Sequence, residues 1–146
     1  MLRNPLLGDE IRLLADIGFL GAGLGGLRPA ALTLFEGLIA LRPLRDVGHV
    51  GVALVHLNNG QVQEALLGLE NARAMMDDEP QAQDADRAML CAFHALALHC
   101  AQRNAESQKL FHQVLSIPGN PEATALAHRM LGHKHEALCT PSLQES

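Results

Sequence analysis

Displaced by 35 residues, the sequence falls on itself. Ile17, Gly18, Leu20, Gly25, Leu27, Ala30, Leu34 and Gly37 meet Val52, Ala53, Val55, Gly60, Val62, Ala65, Leu69 and Ala72, small on small and large on large. A second displacement of 42 carries Ala53, His56, Ala65, Leu69 and Ala72 onto Ala95, Leu98, Ser107, Phe111 and Val114, which places seven extra residues between Met76 and Arg87. A chain that repeats at this interval is a stack of similar units, each burying its apolar face against the next.

The units are helical. Val, Ile and Thr together number only thirteen, whereas Ala and Leu recur throughout, a bias toward helix and away from strand. Pro follows Asn4, Arg28 and Asn120, where it suits a first helical turn, and Asn is a good cap in two of the three places. Segments of about 12 to 18 residues between Gly and Asn stops are the length of antiparallel hairpin helices. The expected fold is all-α: hairpins over residues 11–43, 46–79 and 88–118, a capping helix over 121–138 and a disordered tail over 139–146, in one domain.

The clearest stretch, Gly60-Gln61-Val62-Gln63-Glu64-Ala65-Leu66 followed by Leu69 and Ala72, resembles the turn into the second helix of a tetratricopeptide repeat. In that reading Gly60 takes positive φ, and Ala53 and Ala65 let two helix backbones approach closely. The usual aromatics of the family are missing, and Pro43 stands a residue late. The resemblance implies a short solenoid whose first helices line a concave groove, here Ala15, Phe19, Val50, Leu54, Leu57, Ala92, Leu96 and His99. Repeats that clamp a chaperone's C-terminal carboxylate carry Lys, Arg and Asn at such positions; Val50, Leu54 and Leu57 exclude that role. An aliphatic groove suits the apolar face of an amphipathic helix.

The architecture also looks like that of the small chaperones of bacterial type III secretion systems, through Ala30, Ala31, Leu34, Phe35, Leu38, Leu41-Arg42-Pro43 and the Gly60–Ala65 stretch. That resemblance implies a non-enzymatic bacterial cytoplasmic protein without a cofactor. Its partner would be a helix-forming segment of an export substrate, a needle subunit or a translocator, or else a co-chaperone. The apolar surface would also allow a homodimer.

A different class stays open. Gly21-Ala22-Gly23-Leu24-Gly25-Gly26 fits G-x-G-x-x-G and follows the apolar Ile17–Leu20, as a dinucleotide-binding turn does, with Asp46 near the distance of the ribose-binding acid. Leu38–Arg45, however, is too Leu- and Arg-rich and Pro-broken for the second strand. The eight His offer no paired metal-ligand spacing. Cys91 and His94 share a helical face as a catalytic pair would, but Cys91 and Cys100 read as core or groove residues.

Net charge is −5, with Lys+Arg 11 against Asp+Glu 16, and there is no Trp or Tyr, so neither a phosphate backbone nor stacked bases find a complement. The excess lies in residues 51–90, two basic against seven acidic, with Asp77, Asp78, Glu79, Asp84 and Asp86 expected in a solvated connector, or in a docking patch for a basic partner. No stretch reaches the about 18 to 20 apolar residues of a membrane span. Cys91 and Cys100, nine residues apart on one helix, are too far apart to bridge, and all three Cys are expected to be reduced thiols.

Overall fold

Local signals start and stop the helices much as their positions suggest. The computed structural model describes residues 28–132, and six helices account for most of them: α1 (Arg28–Leu41), α2 (Asp46–Asn58), α3 (Val62–Asp77), α4 (Asp84–Cys100), α5 (Asn104–Leu115) and α6 (Pro121–Gly132). No strand occurs among the described residues. Pro29 sits in the first turn of α1, and Pro43 follows its end. Asn120 caps α6, its Oδ1 accepting the Ala123 N–H at 3.0 Å. The expected first half of repeat one, the turn at Gly25 and residues 133–138 of the capping helix lie outside the described residues.

Two of the connections are the same turn made twice. At the end of α2, Gly60 has φ 76°; its N–H bonds to Leu57 O at 3.1 Å and the Gln61 N–H to His56 O at 2.7 Å. At the end of α4, Gln102 has φ 65°, with Gln102 N–H to His99 O and Arg103 N–H to Leu98 O, both 2.9 Å. Each is a left-handed helix stop with paired 6→1 and 5→2 bonds. The two turns are displaced by the same 42 residues that relate Ala53 to Ala95.

Consecutive helices pack on one another, and α4 also touches both α2 and α6. The starts of these three helices are tied at one end. Asp86 in the first turn of α4 accepts the Asp46 N–H of α2 at 2.9 Å, and Asn120 Nδ2, before α6, donates to Ala85 O at 2.8 Å. α4 thus stands between α2 and α6, with α1 packed on α2, α3 on both α2 and α4, and α5 on both α4 and α6. Three apolar clusters fill the space between: Phe35 and Leu38 with Val55, Leu69 and Met76 with Leu90, and Phe111 and Val114 with Ala123 and Ala127.

Burial corrects the register of the first unit. The buried residues of α1 are Ala31, Phe35 and Leu38, not Ala30, Leu34 and Gly37. They correspond to Ala65, Leu69 and Ala72 in α3 and to Ser107, Phe111 and Val114 in α5, all buried. The interval from α1 to α3 is thus 34 residues. The reason is steric: a Cβ on Gly51 would run into the Phe35 ring, so α2 leaves a slot for that ring and α1 turns to fill it.

The expected long acidic loop is also shorter than its composition suggests. Only residues 78–83 connect α3 to α4, and α4 opens four residues before the position equivalent to Asp46. Arg87 reaches back to hold this connection, donating to Met76 O at 2.9 Å and to Glu79 O and Ala82 O at 2.7 Å. Asp84 and Asp86 belong to α4, and Asp86 is buried at 3% exposure, so it is no part of a solvated patch. Its lost hydration is replaced by the Asp46 N–H and by Arg45 Nε at 3.1 Å.

Candidate functional site

The residues expected to receive a partner lie, where described, on α2 and α4, and burial divides them. Ala15 and Phe19 lie outside the described residues. Val50, at 4% exposure, is enclosed with α3 residues, and Ala92, at 0%, with residues of α5 and α6. Neither offers surface, because each points between helices rather than away from them. Leu54, Leu57, Leu96 and His99 are half-buried. Leu54 and Leu57 pack against the cluster between α2, α3 and α4, and Leu96 against that between α4, α5 and α6.

The broad, fully exposed apolar patch expected from these leucines does not form. Among the described residues the exposed large apolar side chains are Leu41 and Leu67, on α1 and α3. What α2 and α4 present is a half-sunk stripe. It includes Met89 and Phe93, which the sequence reading missed although they precede Leu96 at i, i+4 and i+7 spacing. Met89 touches both large clusters and Phe93 the first, so the stripe runs across the seam between successive hairpins.

The polar groups behind this face are engaged. Arg73 Nη1 donates to His94 Nδ1 at 2.9 Å; burial lowers the His94 pKa, and the Arg73 charge lowers it further. Cys91 donates its S–H to Leu110 O at 3.6 Å, and burial pushes its thiol pKa up. A protonated thiol and a histidine whose Nδ1 is already occupied do not make a nucleophile and base. Cys91 is a free thiol, while Cys100 is disulfide-bonded, which corrects the expectation of three reduced cysteines. That expectation weighed only the Cys91–Cys100 pair, which is indeed not bridged.

No three His, Cys, Asp or Glu side chains converge as metal ligands among the described residues, nor is any described helix long and apolar enough to cross a membrane. The Gly21–Gly26 turn lies outside the described residues. Downstream of it, the stretch needed for a second strand is helical to Leu41, and Asp46 opens α2 instead of ending a strand. With the geometry in hand, comparison adds no relative: no family model, curated protein or solved structure matches the chain.

Proposed function

We propose that the chain is a tetratricopeptide-like adaptor or chaperone whose helices α2, α4 and α6 receive an amphipathic helix from a partner protein. The observation that carries this reading is the paired turn: Gly60 and Gln102 repeat the same backbone bonds, and the first helices of the two hairpins lie side by side with their starts tied together. In this reading Leu54, Met89, Phe93 and Leu96, all half-buried on α2 and α4, would make one surface for anchors spaced i, i+3, i+4 and i+7. Binding would draw on aliphatic burial, at roughly 25 cal/mol per Å² before the costs of association.

The partner we favour is an export substrate of a bacterial type III system, a needle subunit or translocator, held in the cytoplasm. Against the cytoplasmic part stands the disulfide at Cys100, since disulfides persist in oxidising compartments. Alkylation of the protein as isolated from cells tests the compartment: Cys100 trapped as a thiol supports the cytoplasm, and Cys100 protected by its disulfide overturns that part.

The binding test is co-expression of the chain with needle and translocator subunits of its own organism. The native chain should co-purify with one of them and keep it soluble, in a complex that moderate salt does not dissociate. The double substitution Leu54→Glu with Leu96→Glu, provided it retains the helical circular-dichroism spectrum, should lose that partner. Equal binding by the folded variant, or no binding by the native chain, sinks the proposal; self-association through the same face would point to a homodimer instead.

A further inference from the structure

Cys100 ends α4 and continues the stripe of that helix. Counted from Phe93, Leu96 and Cys100 recur at i+3 and i+7, which is one face of a helix, and all three are half-buried. Cys100 is disulfide-bonded, whereas Cys91 is a free thiol. The sequence holds three cysteines, so within one chain the partner of Cys100 can only be Cys139, which lies outside the described residues.

The reach this pairing needs is available. α4 and α6 pack on each other, and they start level, because Asn120 Nδ2 donates to Ala85 O at 2.8 Å. Cys100 stands fifteen positions after Ala85 and Gly132 twelve after Asn120, so the two helix ends differ by only about 5 Å of rise. Packed helices lie about 10 Å apart, and the seven residues from Gly132 to Cys139 span up to about 25 Å when extended.

We infer that a Cys100–Cys139 disulfide ties the segment after α6 to the end of α4, where residues 137–143 cover Phe93 and Leu96, and that reduction uncovers this end of the stripe. The segment has the apolar groups for it: Ala137 and Leu138 immediately precede Cys139, and Leu143 follows. The bond forms by exchange with a small disulfide. Each thiol loses one hydrogen, the small disulfide takes up the two electrons and two protons, and it departs as two thiols; a reducing thiol reverses the step. With the bond made, the segment cannot leave the stripe. With it broken, a partner helix of larger apolar area displaces it. That last consequence rests on the proposed function, whereas the tether itself does not.

The test equilibrates the intact chain with oxidised or with reduced glutathione, then alkylates it, digests it without reduction and maps the peptides by mass spectrometry. In oxidised glutathione Cys100 and Cys139 should appear in one linked peptide pair, with Cys91 outside it; in reduced glutathione both should be alkylated. In the same two states, the Leu96 methyl signals should be shielded from a soluble paramagnetic chelate in the oxidised chain and lose that shielding on reduction. Cys139→Ser should match the reduced chain in either buffer. A needle or translocator subunit should bind the oxidised chain at least about tenfold more weakly than the reduced one, since only the uncovered fraction is competent. A disulfide-linked dimer, a Cys100 alkylated in oxidised glutathione, a Leu96 equally accessible in both states, or equal binding by both states overturns the inference. Absence of binding in both states sinks the proposed function alone, because the peptide map and the Leu96 signals need no partner and decide the tether by themselves.

Discussion

In the hairpin α2–α3 the left-handed stop is Gly60 and the crossing sets Ala53 against Ala65. In α4–α5 the same places hold Gln102, Ala95 and Ser107. The backbone bonds of the two turns agree pair by pair, so the turn is imposed by the need to satisfy the last carbonyls of a helix and to bring the next one back onto the core. Glycine makes that conformation cheap but is not its cause. The crossing teaches the same lesson: where Ala65 is merely small, Ser107 is small and also bonded, its hydroxyl donating to Ala95 O at 2.7 Å. A third difference lies at Gly51 and its equivalent Phe93. In α2 the ring comes from the preceding helix, Phe35 over Gly51; in α4 it is supplied by α4 itself and packs toward the preceding hairpin. The space between hairpins is filled from opposite sides.

Substitutions that exchange features between the hairpins sharpen or break this comparison. Ala65→Leu should do the most harm, about 1–3 kcal/mol, because the buried crossing has no room for a branched side chain; an unmoved urea midpoint would mean the α2–α3 crossing is not close. Ser107→Ala makes the second crossing resemble the first and should cost about 0.5–1.5 kcal/mol through the lost hydrogen bond. The converse, Ala65→Ser, should be tolerated better than Ala65→Leu if the two crossings share their geometry.

Gln102→Gly should stabilise the chain by about 0.5–1 kcal/mol, the relief of a left-handed non-glycine residue less the extra freedom glycine has when unfolded. Gly60→Gln should cost a similar amount, and a hairpin that responds in only one direction would refute the equivalence of the turns. The smallest effect concerns acid. Burial and Arg73 lower the His94 pKa, with Glu70 and Glu106 opposing, so the folded chain favours neutral His94. That contribution is fully present above the ordinary value of 6.5 and is lost as pH falls below it. His94→Val, which copies Val52 of the other hairpin, should remove this small loss between neutral and mildly acidic pH, measured by thermal melting against the native chain.

The all-helical fold was legible because the information is local. Alanine and leucine without a strand-forming bias, Pro29 in a first turn, Asn120 before Pro121, and a glycine at residue 60 each act on their immediate neighbours. The small residues at Ala53, Ala65 and Ala95 were legible too, since a close crossing tolerates little else. The binding face was legible only in part. Spacing brought out Leu54 and Leu96 at equivalent positions, but alignment along one helix does not say how deeply a side chain sinks, and Val50 and Ala92 are lost to the interior.

What the sequence determined by itself, then, is the helical period, the hairpin turn and which residues share a helix face. Which face meets which neighbour was decided only in three dimensions. Ala30 or Ala31, and Leu34 or Phe35, satisfy a small-and-large pattern equally well, and the choice fell to the slot that Gly51 leaves for Phe35 on another helix. Asp86 read as one acid among several in a solvated connector, yet it is buried because its partners, Arg45 and the Asp46 N–H, approach from some forty residues away. Periodicity is a property of one helix, whereas burying a ring or a charge requires a partner, and the partner's position is set by the packing of the neighbouring helices.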